Sequence, residues 1–166
     1  MNIVSIESGA ADRAIRKQCA LLVEDSAQDQ WLIRRALDAS GRQVHLSSAR
    51  HGDEAVAYLA GVGVYADRCS YPVPALVLLD LKMPRRSGLE VLEWLRREGG
   101  ELQRVPVVML SSSEQGGDIR QAYERGANGY VVKPDTHDDL KRVLENICAF
   151  WLDDNRPPTP VCIDLQ

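Results

Sequence analysis

The feature that most constrains this chain is Ala75-Leu76-Val77-Leu78-Leu79-Asp80, an unbroken apolar run that ends on a carboxylate and is halted by Met83-Pro84. With no polar alternation, such a run fits a strand buried on both faces, as in a parallel sheet sandwiched between helices. Three further apolar runs also finish on reactive side chains. Cys19 to Val23 leads to Glu24-Asp25, Val105 to Leu110 leads to Ser111-Ser112-Ser113, and Gly129 to Val132 leads to Lys133-Pro134. In an open α/β sheet the ligand crevice lies outside the carboxyl ends of the strands. Three acids, a hydroxyl and an ammonium are therefore expected on one rim.

Helical stretches separate the runs. Ser26 is a good N-cap for Ala27 to Ala39, whose Leu32, Ile33, Ala36 and Leu37 share one face, and Gly41 closes it. Val44 to Ala49 reads as a short, less buried strand. Asp53 to Leu59 is a helix with Ala55, Val56 and Leu59 inward. Residues 61–74 form a long connection, of a length that often carries function. Leu89 to Arg97 and Asp118 to Arg125 read as helices closed by Gly99-Gly100 and Gly126, and Asp135 to Leu152 as a long final helix. Five strands alternating with five helices predict a doubly wound parallel α/β sheet with helices on both faces. Right-handed crossovers favour the order 2-1-3-4-5.

The expected domain spans residues 19–152. It is preceded by an extension, 1–18, that reads as a frayed terminus, although Ala10 to Lys17 could form a short helix, and followed by a Pro-rich tail, 153–166, that cannot continue a helix. The formal charge of -4, with acids and bases interspersed, offers no basic stripe for nucleic acid. No stretch approaches the length that spans a bilayer, and no signal peptide is visible, so a cytoplasmic protein is expected. Cys19, Cys69, Cys148 and Cys162 are scattered without metal-site spacing and read as free thiols.

Three carboxylates within about 5 Å of one another would repel by roughly 3 kcal/mol per pair at an effective dielectric near 20. A divalent cation relieves this at neutral pH. A few carboxylates completed by water and phosphate oxygens suit Mg²⁺ better than Ca²⁺. A metal-bound carboxylate beside Ser111 and Lys133 is equipped to accept a phosphoryl group as an aspartyl phosphate.

Four stretches carry a resemblance. They are Leu21-Leu22-Val23-Glu24-Asp25-Ser26, Leu78-Leu79-Asp80-Leu81-Lys82-Met83-Pro84 with Gly88, Val107-Val108-Met109-Leu110-Ser111, and Gly126-Ala127-Asn128-Gly129-Tyr130-Val131-Val132-Lys133-Pro134. In this order and spacing they resemble the receiver domain of two-component response regulators, a flavodoxin-like fold. The resemblance implies that Asp80 is the phosphoacceptor and that Glu24, Asp25, Asp80 and the Lys82 backbone carbonyl hold Mg²⁺ or Mn²⁺. It implies that Lys133 and Ser111 bind the phosphoryl group, that Ser111 and Tyr130 form the switch, and that the Lys133-Pro134 peptide is cis. Phosphorylation is then expected to repack the face of the fourth helix, fifth strand and fifth helix. Ser87 departs from the family, where Asp is common, and Asp135 stands where an aromatic is common.

With no effector domain after it, the chain is expected to be a single-domain regulator, phosphorylated by a histidine kinase and catalysing only its own phosphorylation and dephosphorylation. The long connection with Tyr65-Ala66-Asp67, the Phe150-Trp151-Leu152 helix end and the tail resemble regulators paired with phytochrome-type histidine kinases. That implies a homodimer through the last helix and tail. Three consecutive bulky residues are in any case too many for one helix face to bury, and Val161-Cys162-Ile163 could add to a neighbour's edge. The alternatives are a phosphate sink or relay shuttle, and an aspartate-nucleophile phosphohydrolase. The second wants another Asp where Lys82 stands. A flavin carrier is disfavoured, since no phosphate loop follows the first strand.

Overall fold

The computed structural model describes residues 19–155, so the extension, 1–18, and the Val161-Cys162-Ile163 segment lie outside the described residues. The elements are β1 (Cys19–Val23), α1 (Ala27–Ala39), β2 (His45–Ala49), α2 (Gly52–Ala60), β3 (Leu76–Leu79), α3 (Gly88–Glu98), β4 (Val107–Ser111), α4 (Gly116–Glu124), β5 (Gly129–Val132) and α5 (His137–Cys148). All strands pair in parallel, in the order β2-β1-β3-β4-β5. The fold is the doubly wound sheet expected.

Side-chain alternation along the strands builds two cores. Leu21, Val23, Val77, Leu79 and Met109 face α2, α3 and Ala122 of α4, whereas Ala20, Leu22, Leu76, Leu78, Val108 and Leu110 face α1 and α5. Both faces of β1, β3 and β4 are thus covered, which is why their sequences are continuously apolar.

Local chemistry explains the shifted boundaries. Pro106 cannot donate to a ladder, and β4 begins one residue later, although the Pro106 carbonyl still accepts from Val77 at 2.9 Å. Tyr58, rather than Val56, is the large inward residue of α2. Ser87 caps α3 by accepting from the Glu90 N–H, while Glu90 reaches back to the Ser87 N–H at 2.8 Å. A Ser here performs the capping that an Asp would. Thr136 caps α5, which starts two residues later than expected.

The last helix ends as a regular helix at Cys148 and widens over Ala149–Asp154, where the Asn155 N–H reaches the Phe150 carbonyl at 2.7 Å. The wider turn buries Leu152, half-buries Trp151 and leaves Phe150 54% exposed, edge-on to Trp151. Arg42, from the turn after α1, pairs with Asp153 and fastens this end to the body.

The connection between α2 and β3 is packed rather than loose. Tyr58, Tyr65 and Tyr71 contact one another with ring centroids 5.0 to 6.1 Å apart. Arg68 donates to the carbonyls of Tyr58 and Leu59 at 2.8 Å, satisfying the end of α2. Among the described residues no helix is long and apolar enough to cross a membrane.

Candidate functional site

Glu24, Asp80, Ser111 and Lys133 stand at the carboxyl ends of four strands, as expected. Backbone hydrogen bonds fix their levels: the Glu24 N–H donates to Ala49, Asp80 to Val23, and Lys133 to Ser111, all at 2.9 to 3.0 Å. Gly88 brings α3 against the phosphoacceptor candidate so closely that a Cβ there would lie 2.0 Å from the Asp80 carbonyl oxygen. Arg85, at φ 67°, turns the intervening loop through the left-handed region.

The carboxylates of Glu24, Asp25 and Asp80 converge, with one oxygen of each within 4.8 Å of the others. Glu24 and Asp80 are buried and Asp25 is exposed, so the cluster opens to solvent on one side. Burial raises the Asp80 carboxyl above its ordinary range, and Asp25 adds to this. The Lys133 ammonium and the Leu81 and Lys82 backbone N–H groups oppose it. Burial likewise raises Glu24, against its hydrogen bond to Lys133. An all-oxygen donor set that is short of positive charge and open on one side fits a hard divalent cation with water completing its shell.

Lys133 is the cation of the site. Its Nζ donates to Glu24 Oε2 at 2.5 Å and to Asp29 Oδ2 at 2.7 Å, and lies 3.8 Å from Asp80 Oδ1. Burial alone would lower its pKa, but these acids outweigh burial and raise it. The Lys133-Pro134 peptide is trans, not the cis form implied by resemblance; for an X-Pro bond the two differ by only about 1 kcal/mol, and Lys133 reaches the acids without it.

Ser111 is 1% exposed, and its Oγ accepts from the Ser113 N–H at 3.3 Å. Ser113 donates in turn to Asp118 at 2.5 Å, and Lys82 Nζ lies 4.0 Å from the same carboxylate. The Tyr130 hydroxyl donates to the Ser113 carbonyl at 2.9 Å. Tyr130 therefore leans across the loop after β4 and is half-buried. Lys82 keeps its side chain 64% exposed.

Asp29 and Asp118 are the site residues that sequence reasoning missed. Each sits in the first turn of a helix, where an acid is routinely explained by the N-terminal backbone. The usable signal for Asp29 was its position one turn beyond Glu24-Asp25.

A model of the response regulator receiver domain matches residues 20–145. The chain is 36% identical over 155 residues to the probable methanogenesis regulatory protein FilR2 of Methanothrix harundinacea, covering 93% of this chain and 97% of the relative. It superposes on the Mn²⁺-bound form of response regulator Rcp1, a Synechocystis protein, with a TM-score of 0.75 at 35% identity, covering 86% of this chain and 99% of that one. The phosphorylated cyanobacterial phytochrome response regulator RcpA superposes with a TM-score of 0.77 at 36% identity, over the same shares. Sheet order, sequence match and superposition agree, and the chain belongs to the receiver domains of two-component response regulators, related to those of the phytochromes.

Proposed function

We propose that the protein accepts a phosphoryl group from a histidine kinase on Asp80, and that the convergence of Glu24, Asp25 and Asp80 beside Lys133 carries this reading. Asp80 supplies the oxygen that attacks phosphorus. The P–N bond to the donor imidazole breaks, a P–O bond forms, and the imidazole leaves and takes up a proton. Glu24, Asp25, Asp80 and the Lys82 carbonyl would hold Mg²⁺ or Mn²⁺, which neutralises the phosphoryl oxygens. Lys133 moves from the acids to the phosphoryl oxygens, and Ser111 donates its hydroxyl to them.

The new hydrogen bond from Ser111 is what the switch reads. Ser111 Oγ now holds the Ser113 N–H, and Ser113 holds both Tyr130 and Asp118. Recruiting the Ser111 hydroxyl frees this loop and repacks the face of α4, β5 and α5.

Residues 19–152 form the receiver, with 1–18 and 153–166 as extension and tail. The kinase is of phytochrome type, as the similarity to the phytochrome response regulator RcpA supports, and the setting is cytoplasmic. The exposed Phe150, edge-on to the half-buried Trp151, supports a homodimer through the last helix and tail, whereas Leu152 is taken up by the core of its own chain. The protein acts on no substrate besides its own aspartyl phosphate, and Lys82 stands where a phosphohydrolase would need a second acid.

Acetyl phosphate with Mg²⁺ should label Asp80, and Asp80→Asn should abolish the label. Full labelling of the variant would end the assignment. Phosphate passing from a purified kinase and staying on Asp80 supports a regulator. Its return to a phosphohistidine protein would make the chain a relay shuttle instead.

A further inference from the structure

Asp29 is not spent as a helix cap. It stands at the third position of α1, where an acid ordinarily reaches back to the N-cap N–H. Here Glu24 Oε1 accepts from the Ser26 N–H at 3.1 Å, while Ser26 Oγ accepts from the Asp29 N–H at 3.2 Å. Both ends of the box are satisfied without the Asp29 carboxylate. That carboxylate instead reaches across the chain to Lys133 Nζ at 2.7 Å.

The geometry at Lys133 is lopsided. The ammonium bonds Glu24 and Asp29 and stops 3.8 Å short of Asp80, so it is held on the α1 side of the acids. Two of its three donors are committed there. A divalent cation that takes up Glu24 Oε2 competes with Lys133 for that oxygen. Whether an ammonium so displaced competes for Asp80 depends on what else can hold it.

We infer that Asp29 is a positioning residue that keeps the Lys133 ammonium on the α1 side when a cation takes Glu24, leaving Asp80 free for that cation until a phosphoryl group draws the lysine across. The inference rests on the reading of Glu24, Asp25 and Asp80 as a cation site. Asp29 lies beyond that trio and acts through Lys133. Without it, the ammonium has only Glu24 and Asp80 left to pair with and opposes the cation at both.

The test is calorimetric titration of chelator-stripped protein with Mg²⁺, using wild type, Asp29→Asn, Lys133→Met and the double variant, with circular dichroism to verify folding. Asp29→Asn should weaken Mg²⁺ binding about five-fold in the wild-type background and less than about two-fold beside Lys133→Met. Asp29→Glu, which keeps the charge and the reach, should restore affinity. Equal weakening in both backgrounds would reduce Asp29 to a bystander charge and overturn the inference. So would wild-type affinity in Asp29→Asn. Either result leaves the cation site standing, whereas a wild-type protein that takes up no Mg²⁺ would sink that reading and this one together.

Discussion

Two regions bury polar groups and do opposite things with them. At the rim, Glu24 and Asp80 share a single ammonium and are pushed toward protonation by burial. Beneath the α2–β3 connection, Tyr58 bonds Ser47 at 2.8 Å and the Pro72 carbonyl at 2.9 Å, Tyr65 bonds Glu54 at 2.7 Å, and Arg68 satisfies the end of α2. The tyrosine lobe is complete by itself and stabilises the fold. The rim is incomplete without a cation, and that deficit is what makes it responsive.

Substitutions separate the two. Arg68→Ala strips several carbonyls of a charged donor at once and should cost about 2–3 kcal/mol in denaturant melts, equally in Mg²⁺ and in chelator. A cost that changed with Mg²⁺ would couple the lobe to the rim and break the contrast. Tyr58→Phe should cost about 1–2 kcal/mol, because Ser47 and Pro72 lose a buried partner.

Tyr58 also sharpens the contrast through pH. Burial pushes its phenol up to about 12 from an ordinary 10.0. A folded-state pKa above the unfolded one means stability is fully present below pH 10 and is lost as pH rises toward about 12. Cys19, pushed up to about 11 by burial beside it, adds to the same loss from pH 9.0 upward. Alkaline melts of Tyr58→Phe should therefore fall less steeply than those of wild type between pH 10 and 12; parallel curves would contradict the assignment.

A smaller effect is expected at the start of α3. Ser87→Ala removes one half of a capping box and should cost about 1 kcal/mol, while Ser87→Asp stays close to wild type. An equal loss in both variants would show that the hydroxyl is needed for something other than capping.

What the sequence disclosed, and what it hid, follows the same division. Strands buried on both faces must be continuously apolar, so β1, β3 and β4 announced themselves, and the polar residues that ended them marked the rim. Asp29 escaped because Ser26 three residues earlier makes it an ordinary helix-start acid, and only the fold brings Lys133 to it. The tyrosine lobe escaped because Tyr65, Arg68 and Tyr71 fall in a stretch with no periodicity. Phe150-Trp151-Leu152 showed that one face could not hold all three, but not that a widened turn would bury Leu152 and leave Phe150 outside.

The rim acids are held together at a cost that a divalent cation relieves, and thermal melts of wild type and Asp80→Asn, in chelator and in Mg²⁺, measure that cost. Asp80→Asn should melt higher than wild type in chelator, since it removes an ionised group that burial and Asp25 disfavour, and it should lose most of the rise that Mg²⁺ gives wild type. A variant that melts lower in chelator, or that keeps the full Mg²⁺ increment, would contradict the account.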